Sequence, residues 1–290
     1  MPRVVVAGPA AWNHLIVLDR LPEPTPHMQF AEASVHTVGG TSAGKALHLH
    51  ALGVDSRLHA LLGDDADGRR VAAALRGAGV DLVAHASGTE RHVNLMTRSG
   101  GRVSLYVSTP DAAGPDVLAA IEADLAGADV AVLDLSAVGA DLLSRLPASV
   151  PLWTDLHDYD GAAAFHEPFL RRAEVVFMNA DRTDDPWGLL ASCIARGPRL
   201  AVCTLGADGA IALDRDGRRT AVPADQAEVV DTNGAGDAFF AGVLAAVLDA
   251  GGLANADLTA ALRAGAAQAV TALATVHLHP ALAAAEGTTT

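Results

Sequence analysis

A chain of 290 residues, half of them hydrophobic, can bury one large core without disulfides or a structural metal. Its 34 acidic and 20 basic residues leave a formal charge of −14, which argues against the basic footprint that nucleic acid requires. Cys193 and Cys203, the two cysteines, lie in apolar stretches, which excludes a disulfide scaffold and a paired zinc site. Aromatic residues make up only 4% of the chain, so Ala, Val and Leu must supply most of the core.

The chain opens with a short apolar run, Val4–Ala7, too brief for the apolar region of a signal peptide. Leu15–Leu18 and Met28–Val38 follow as strands with more polar alternation. Next come an apolar strand at Ser56–Leu62 and a helix at Gly68–Ala78. His92–Thr97 and Arg102–Ser108 again read as alternating strands, joined by the turn signal Arg98-Ser99-Gly100-Gly101. Beyond them the pattern is regular: a helix at Pro115–Ala126, a strand at Val130–Leu133, a helix at Ala140–Leu146, then strands at Pro151–Asp155, Val175–Asn179 and Arg199–Thr204.

Apolar strands that do not alternate with polar residues are buried on both faces, which predicts a mostly parallel sheet between helical layers. The alternating strands predict a small antiparallel sheet inserted into that body, over about 12–38 and 90–109, with one face exposed. Only the polar tail Gly287–Thr290 departs from the pattern, so residues 1–290 read as a single domain. The longest apolar stretch, Ala238–Leu248, is interrupted by Gly242 and falls short of the roughly 18 residues of a membrane span. A soluble, cytoplasmic protein with no membrane or nucleic-acid partner is expected.

The chemistry is concentrated in Asp231-Thr232-Asn233-Gly234-Ala235-Gly236-Asp237-Ala238-Phe239, with helical apolar spacing after Asp237. The glycines therefore stand at a helix N-terminus, where free N–H groups and the dipole favour an anion. Asp237 puts a carboxylate beside that anion hole, where it can accept the proton of an attacking hydroxyl. A turn capped by Asp231 would explain a lone Gly-x-Gly-Asp, but not the longer string.

That longer string resembles the signature of the ribokinase, or PfkB, family of carbohydrate kinases. Gly39-Gly40-Thr41-Ser42-Ala43-Gly44, Leu62-Gly63-Asp64-Asp65-Ala66-Asp67-Gly68 and Thr204-Leu205-Gly206-Ala207-Asp208-Gly209-Ala210 extend the resemblance over nearly the whole chain. It implies a three-layer α/β/α fold with a small β-sheet lid, and transfer of phosphate from ATP to a hydroxyl of a sugar-like molecule. Asp237 is then the catalytic base, and Gly234, Ala235 and Gly236 are the anion hole. Thr204, Gly206, Gly209 and Asn179 border the nucleotide, while Asn13, Gly39, Gly40 and Asp155 meet the substrate. Mg2+ accompanies the phosphates, with Asp181 as a possible metal-side carboxylate, and the lid mediates a homodimer. The segment Thr271–Pro280 does not match the family's usual C-terminal loop, which leaves a monovalent-cation requirement open.

Departures bear on substrate and turnover. Asn13 stands where the family usually has Asp, and Gly44 where it usually has Asn. Arg182 occupies the Glu position of the Asn-x-x-Glu pattern, read here as Asn179-Ala180-Asp181-Arg182. Thr154-Asp155-Leu156-His157-Asp158-Tyr159-Asp160-Gly161 and Arg91-His92-Val93-Asn94-Leu95 are similar to the branch that phosphorylates an aminocyclitol-containing oligosaccharide. Asp158 and Asp160 individually read as solvated loop residues. Sugars and nucleosides remain open as substrates, as does a binding protein that kept the fold and lost turnover.

Gly39-x-x-x-x-Gly44-Lys45, with Val130–Asp134, imitates a P-loop and would imply a nucleotide hydrolase. Ala46 supplies no hydroxyl for magnesium, however, so the match reads as accidental, with Lys45 solvated or near the substrate. The 12 histidines form no metal-binding spacing and read mostly as surface or edge residues, although His14, His36 and His92 fall in the presumed lid. Cys203 reads as packing.

Overall fold

The computed structural model describes residues 3–98 and 100–286. Thirteen strands and nine helices occur among them. In chain order they are β1 (Arg3–Ala7), β2 (Ala11–Leu18), β3 (Ala33–Gly39), α1 (Thr41–Ala51), β4 (Asp55–Leu62), α2 (Ala66–Gly77), β5 (Asp81–Ala86), β6 (Glu90–Thr97), β7 (Arg102–Ser108), α3 (Pro115–Leu125) and β8 (Val130–Leu133). The second half comprises α4 (Ala137–Leu143), β9 (Leu152–Asp155), α5 (Glu167–Arg172), β10 (Val175–Asn179), α6 (Pro186–Ile194), β11 (Leu200–Thr204), β12 (Ala210–Asp214), β13 (Arg219–Val222), α7 (Ala235–Asp249), α8 (Leu258–Leu273) and α9 (Ala281–Glu286).

The large sheet has nine strands in the order β13-β12-β11-β10-β9-β8-β1-β4-β5. Seven of these run parallel, and β12 and β13 close one edge antiparallel. Strand β1 shows why its sequence is apolar at every position. Val4 and Val6 face the core beneath α1, α2, α7 and α8, whereas Val5 and Ala7 face the core beneath α3, α4, α5 and α6. Both faces are covered, so a polar residue on either would lose water without compensation.

The helices start where side chains can satisfy their first N–H groups. Asp65 accepts from Asp67 and Gly68 at the head of α2, and Asp257 caps α8. Ser136 accepts from the Gly139 N–H, so α4 begins three residues before the predicted Ala140.

The small sheet has the order β3-β2-β6-β7 and differs from expectation in two respects. Its outer pairs are antiparallel, but the central β2–β6 pair is parallel, with Asn13 opposite His92. Strand β6 follows β2 only after β3, α1, β4, α2 and β5, and such a long crossover permits a parallel return. Residues Met28–Glu32, expected within a strand, lie outside β3. Pro22, Pro24 and Pro26 just before them cannot donate to a ladder. In the predicted β6–β7 turn, Ser99 lies outside the described residues, as does the tail Gly287–Thr290. No helix among the described residues is long and apolar enough to cross a membrane.

Candidate active site

The C-terminal ends of β8 and β9, the first turns of α1 and α7, and one face of the small sheet converge on a polar cluster. Helix α1 begins at Thr41 because Gly40, at φ 95°, turns the chain from β3 into it. Position 39 needs glycine for a different reason. The Asn13 side chain lies against it, and a Cβ there would meet the Asn13 amide nitrogen at 2.1 Å. Helix α7 begins after Gly234, whose φ of 81° is the left-handed conformation that L side chains resist. Its first turn, Ala235, Gly236 and Asp237, carries N–H groups that no preceding helical carbonyl can take, the Ala235 N–H making a long bond of 3.4 Å to the Thr232 carbonyl. Asp231 is not the cap of this helix; it accepts from the Asn233 N–H and stabilises the preceding turn.

Lys45 lies at the centre of the cluster. Its side chain has no exposure, which corrects the expectation that it is solvated. Nζ is 2.8 Å from Asp237 Oδ1, 3.0 Å from Asp134 Oδ1 and 3.7 Å from Asp155 Oδ2. It also donates to Thr41 Oγ1, and the Thr41 hydroxyl donates to Asp237 Oδ1. Asp134 is further held by the Ser42 hydroxyl at 2.6 Å. Burial alone would push the ammonium down, but Asp134, Asp237 and Asp155 outweigh it and hold Lys45 above its ordinary range. Burial raises the Asp237 carboxyl above its ordinary value, with Lys45 opposing the rise. Burial acts in the same sense on Asp155, yet His157 and then Lys45 hold that carboxyl below its usual range.

A lysine enclosed by three carboxylates is unsuited to a nucleotide's phosphates, and this removes the P-loop alternative. Asp155 also accepts from the His157 N–H, and His157 adopts φ 52°, unusual for a non-glycine residue. The Asn179 N–H donates to the His157 carbonyl and fixes this turn at the head of the site. Asp160 caps the Ala162 and Ala163 N–H groups, a loop role.

The small sheet contributes the opposite wall. Strand alternation and register put Asn13, Thr37, His92 and Asn94 on one face. Asn13 and Asn94 are 3% and 4% exposed, yet the side-chain oxygen of each lacks a hydrogen-bond partner among the described residues. His92 pairs with buried Glu90 at 2.8 Å and its ring packs on Tyr106. Thr37 bonds His277 at 2.7 Å, joining this wall to the C-terminal segment. His14 and His36 stack on each other on the opposite face, away from Asn13.

The remaining predicted residues line the same end of the large sheet. Asn179 ends β10, and its side chain accepts from the Asp181 N–H. Thr204 ends β11, and Gly206 and Gly209 bound the turn into β12. Asp181 and Arg182 are exposed in the loop after β10.

Sequence reasoning gave no site role to Thr41, Asp134 or Glu90; of the histidines, His48, His59, His92 and His277 are buried, while the other eight are at least partly exposed, as expected of most of them. A signal for Lys45 did exist, since it is the one charged residue in an otherwise small and apolar helical turn.

Comparison with known proteins gives this arrangement its class. Residues 1–279 match the pfkB family carbohydrate kinases. Acarbose 7(IV)-phosphotransferase of Actinoplanes sp. is 36% identical over 273 residues, covering 91% of this chain and 89% of its own. The structure of a microbiome-derived acarbose kinase aligns with a TM-score of 0.78 at 33% identity, over 93% of this chain and 92% of its own. Arabidopsis thaliana ribokinase, solved with ribose and ATP, shares the fold with a TM-score of 0.75 at 21% identity, over 99% of this chain and 98% of its own.

The layered body with its small second sheet is a ribokinase-like fold. The chain belongs to the pfkB family of carbohydrate kinases. It is an ATP-dependent phosphotransferase acting on a hydroxyl of a small sugar-like molecule.

Proposed function

We propose that the acceptor is an aminocyclitol-containing oligosaccharide of the acarbose type. The observation that carries this reading is the wall of the small sheet. Two buried amide oxygens without partners among the described residues, on Asn13 and Asn94, are ready to accept from substrate hydroxyls. The carboxylates of Asp155 and Glu90, both buried, suit an amino group on the same ligand. The similarity to acarbose 7(IV)-phosphotransferase across most of both chains supports the same choice.

In the transfer, Asp237 takes the acceptor's proton. The N–H groups of Gly234, Ala235 and Gly236 hold the charge on the migrating phosphoryl group, as a preorganised helix terminus can. Thr204, Gly206, Gly209 and Asn179 border the nucleotide, and Gly39 and Gly40 shape the acceptor side around Asn13. Mg2+ supplies charge neutralisation on the phosphates when bound. Among the described residues no group of three or more His, Cys, Asp or Glu side chains is arranged to hold a metal ion. Asp181, exposed after β10, is the carboxylate of this chain that would help to hold it.

The small sheet closes over the acceptor as a lid, and residues 1–290 act as one catalytic unit. Val103 and Leu105, 41% and 49% exposed on the outer face of β7, support a homodimer through this sheet; light scattering at about twice the chain mass is the expected result. ATP as donor fits a cytoplasmic location.

The test is ATP consumption and phosphorylated product with purified protein and a panel of acarbose, monosaccharides and nucleosides. Turnover is expected to be highest with acarbose. Faster turnover with ribose or inosine would overturn the substrate class.

A further inference from the structure

The two carboxylate oxygens of Asp237 have different surroundings. Oδ1 accepts from the Thr41 hydroxyl and from Lys45 Nζ, the latter at 2.8 Å. Oδ2 faces Gly44 instead, where a Cβ would come within 2.8 Å of it and 3.0 Å of the Asp237 Cβ. A side chain at position 44 would thus press on the oxygen that Lys45 does not hold.

Lys45 cannot swing away from this role. Its ammonium is held from the other side by Asp134 at 3.0 Å, and it lies 5.0 Å from the centre of the Phe240 ring. Asp134 is anchored in turn by Ser42 from the same helix. The groups facing Asp237 are therefore Lys45 and Thr41 from α1 and Asp155 from the end of β9, with His157 beside Asp155. A lysine serving packing alone would leave the cost of burying its charge without function, because an apolar side chain of similar volume often serves a core equally well.

We infer that Lys45, together with Thr41, is a positioning residue for the transfer: it fixes Oδ1, so that Oδ2, above the bare Cα of Gly44, is the atom that receives the acceptor's proton. This rests on the reading of Asp237 as the base. The acceptor O–H proton passes to Oδ2 as the hydroxyl oxygen forms its bond to the γ-phosphorus. The bond from that phosphorus to the β–γ bridging oxygen breaks, and its electron pair leaves with ADP. Gly44 and Lys45 act as a pair in this scheme, one orienting the carboxylate and the other leaving room for the hydroxyl.

The experiment uses Lys45→Met, the charge-compensated double variant Lys45→Met/Asp134→Asn, and Asp237→Asn. Each is compared with the parent by aspartate 13C-carboxyl NMR and by steady-state kinetics with ATP and acarbose. The carboxyl resonance lost in Asp237→Asn reports on Asp237 without any substrate. In both Lys45 variants its titration midpoint is expected to move to higher pH, because the cation that opposes protonation is gone. The acidic limb of the kcat/KM profile moves with it, and kcat falls about tenfold or more while KM for ATP stays level. A purely structural role predicts that the double variant, which restores the local charge balance, recovers both the parent midpoint and the parent kcat; that recovery would overturn the inference. An unchanged midpoint in Lys45→Met would overturn it as well. If Asp237→Asn turns over as fast as the parent, it is the reading of Asp237 as base that fails. If Asp237→Asn is inert and the Lys45 variants behave as the parent, only the role of Lys45 fails.

Discussion

The two walls of the site are built on opposite principles. On the body side, Lys45, Asp134, Asp155, Thr41, Ser42 and the Oδ1 of Asp237 hold one another through ion pairs and hydrogen bonds. On the small-sheet side, Asn13 and Asn94 are nearly as buried, yet each holds an amide oxygen without a partner among the described residues. The body-side network is rigid and preorganised, which suits the atoms that move a proton and a phosphoryl group. Open amide oxygens are costly until something fills them, which suits the recognition of an acceptor. The contrast assigns chemistry to the body and selection to the sheet.

The contrast can be broken most severely at Asp237, the proposed base. Asp237→Asn keeps the shape of the side chain but removes its capacity to take a proton. Its kcat is expected to fall by about 10²–10⁴ while ATP binding, read by calorimetry, stays close to that of the parent. A comparable loss of ATP affinity would mean that the carboxylate serves the nucleotide instead.

The body's rigidity also has an acid limit. His48 is fully buried, with its Nε2 2.9 Å from the Leu278 carbonyl and its Nδ1 2.7 Å from the Gln268 amide. Burial pushes its imidazole down from 6.5 to about 4. As pH falls below 6.5 the unfolded chain takes up a proton that the folded chain refuses until about pH 4. Stability is therefore full above that range and is lost across it, by roughly 3 kcal/mol. Urea titrations at pH 7.5 and 4.5 measure the slope, and His48→Gln is expected to flatten it.

The smallest effect belongs to the turn proposed to hold the phosphoryl group. At Gly234 an added Cβ would meet the Leu278 side chain at 2.9 Å, in a backbone conformation with φ 81°. Gly234→Ala is expected to cost about 1–2 kcal/mol and to appear as a raised KM for ATP with little change in KM for the acceptor.

The sequence made the body more legible than the site. Strands such as Val130–Leu133 announce burial on both faces by composition alone, and the glycines before Asp237 mark the turn from which α7 starts. The parallel pairing of β2 with β6 was not legible, because it joins segments separated by five intervening elements. Lys45 was hidden more thoroughly. Its spacing from Gly39 imitates a phosphate loop, and only the fold brings Asp134, Asp155 and Asp237 around it from three distant segments. The open oxygen of Asn13 likewise depends on the absence of neighbours, and no local pattern records an absence.

The division of labour between the walls is tested most directly by the phosphorylation rate of Asn13→Ala as a function of acarbose concentration. The account predicts a plateau at the parent's rate, reached only at about tenfold higher acarbose, because the lost hydrogen bond serves binding and not the transfer. A depressed plateau with an unchanged half-saturation would contradict it and put the small sheet in the chemical step.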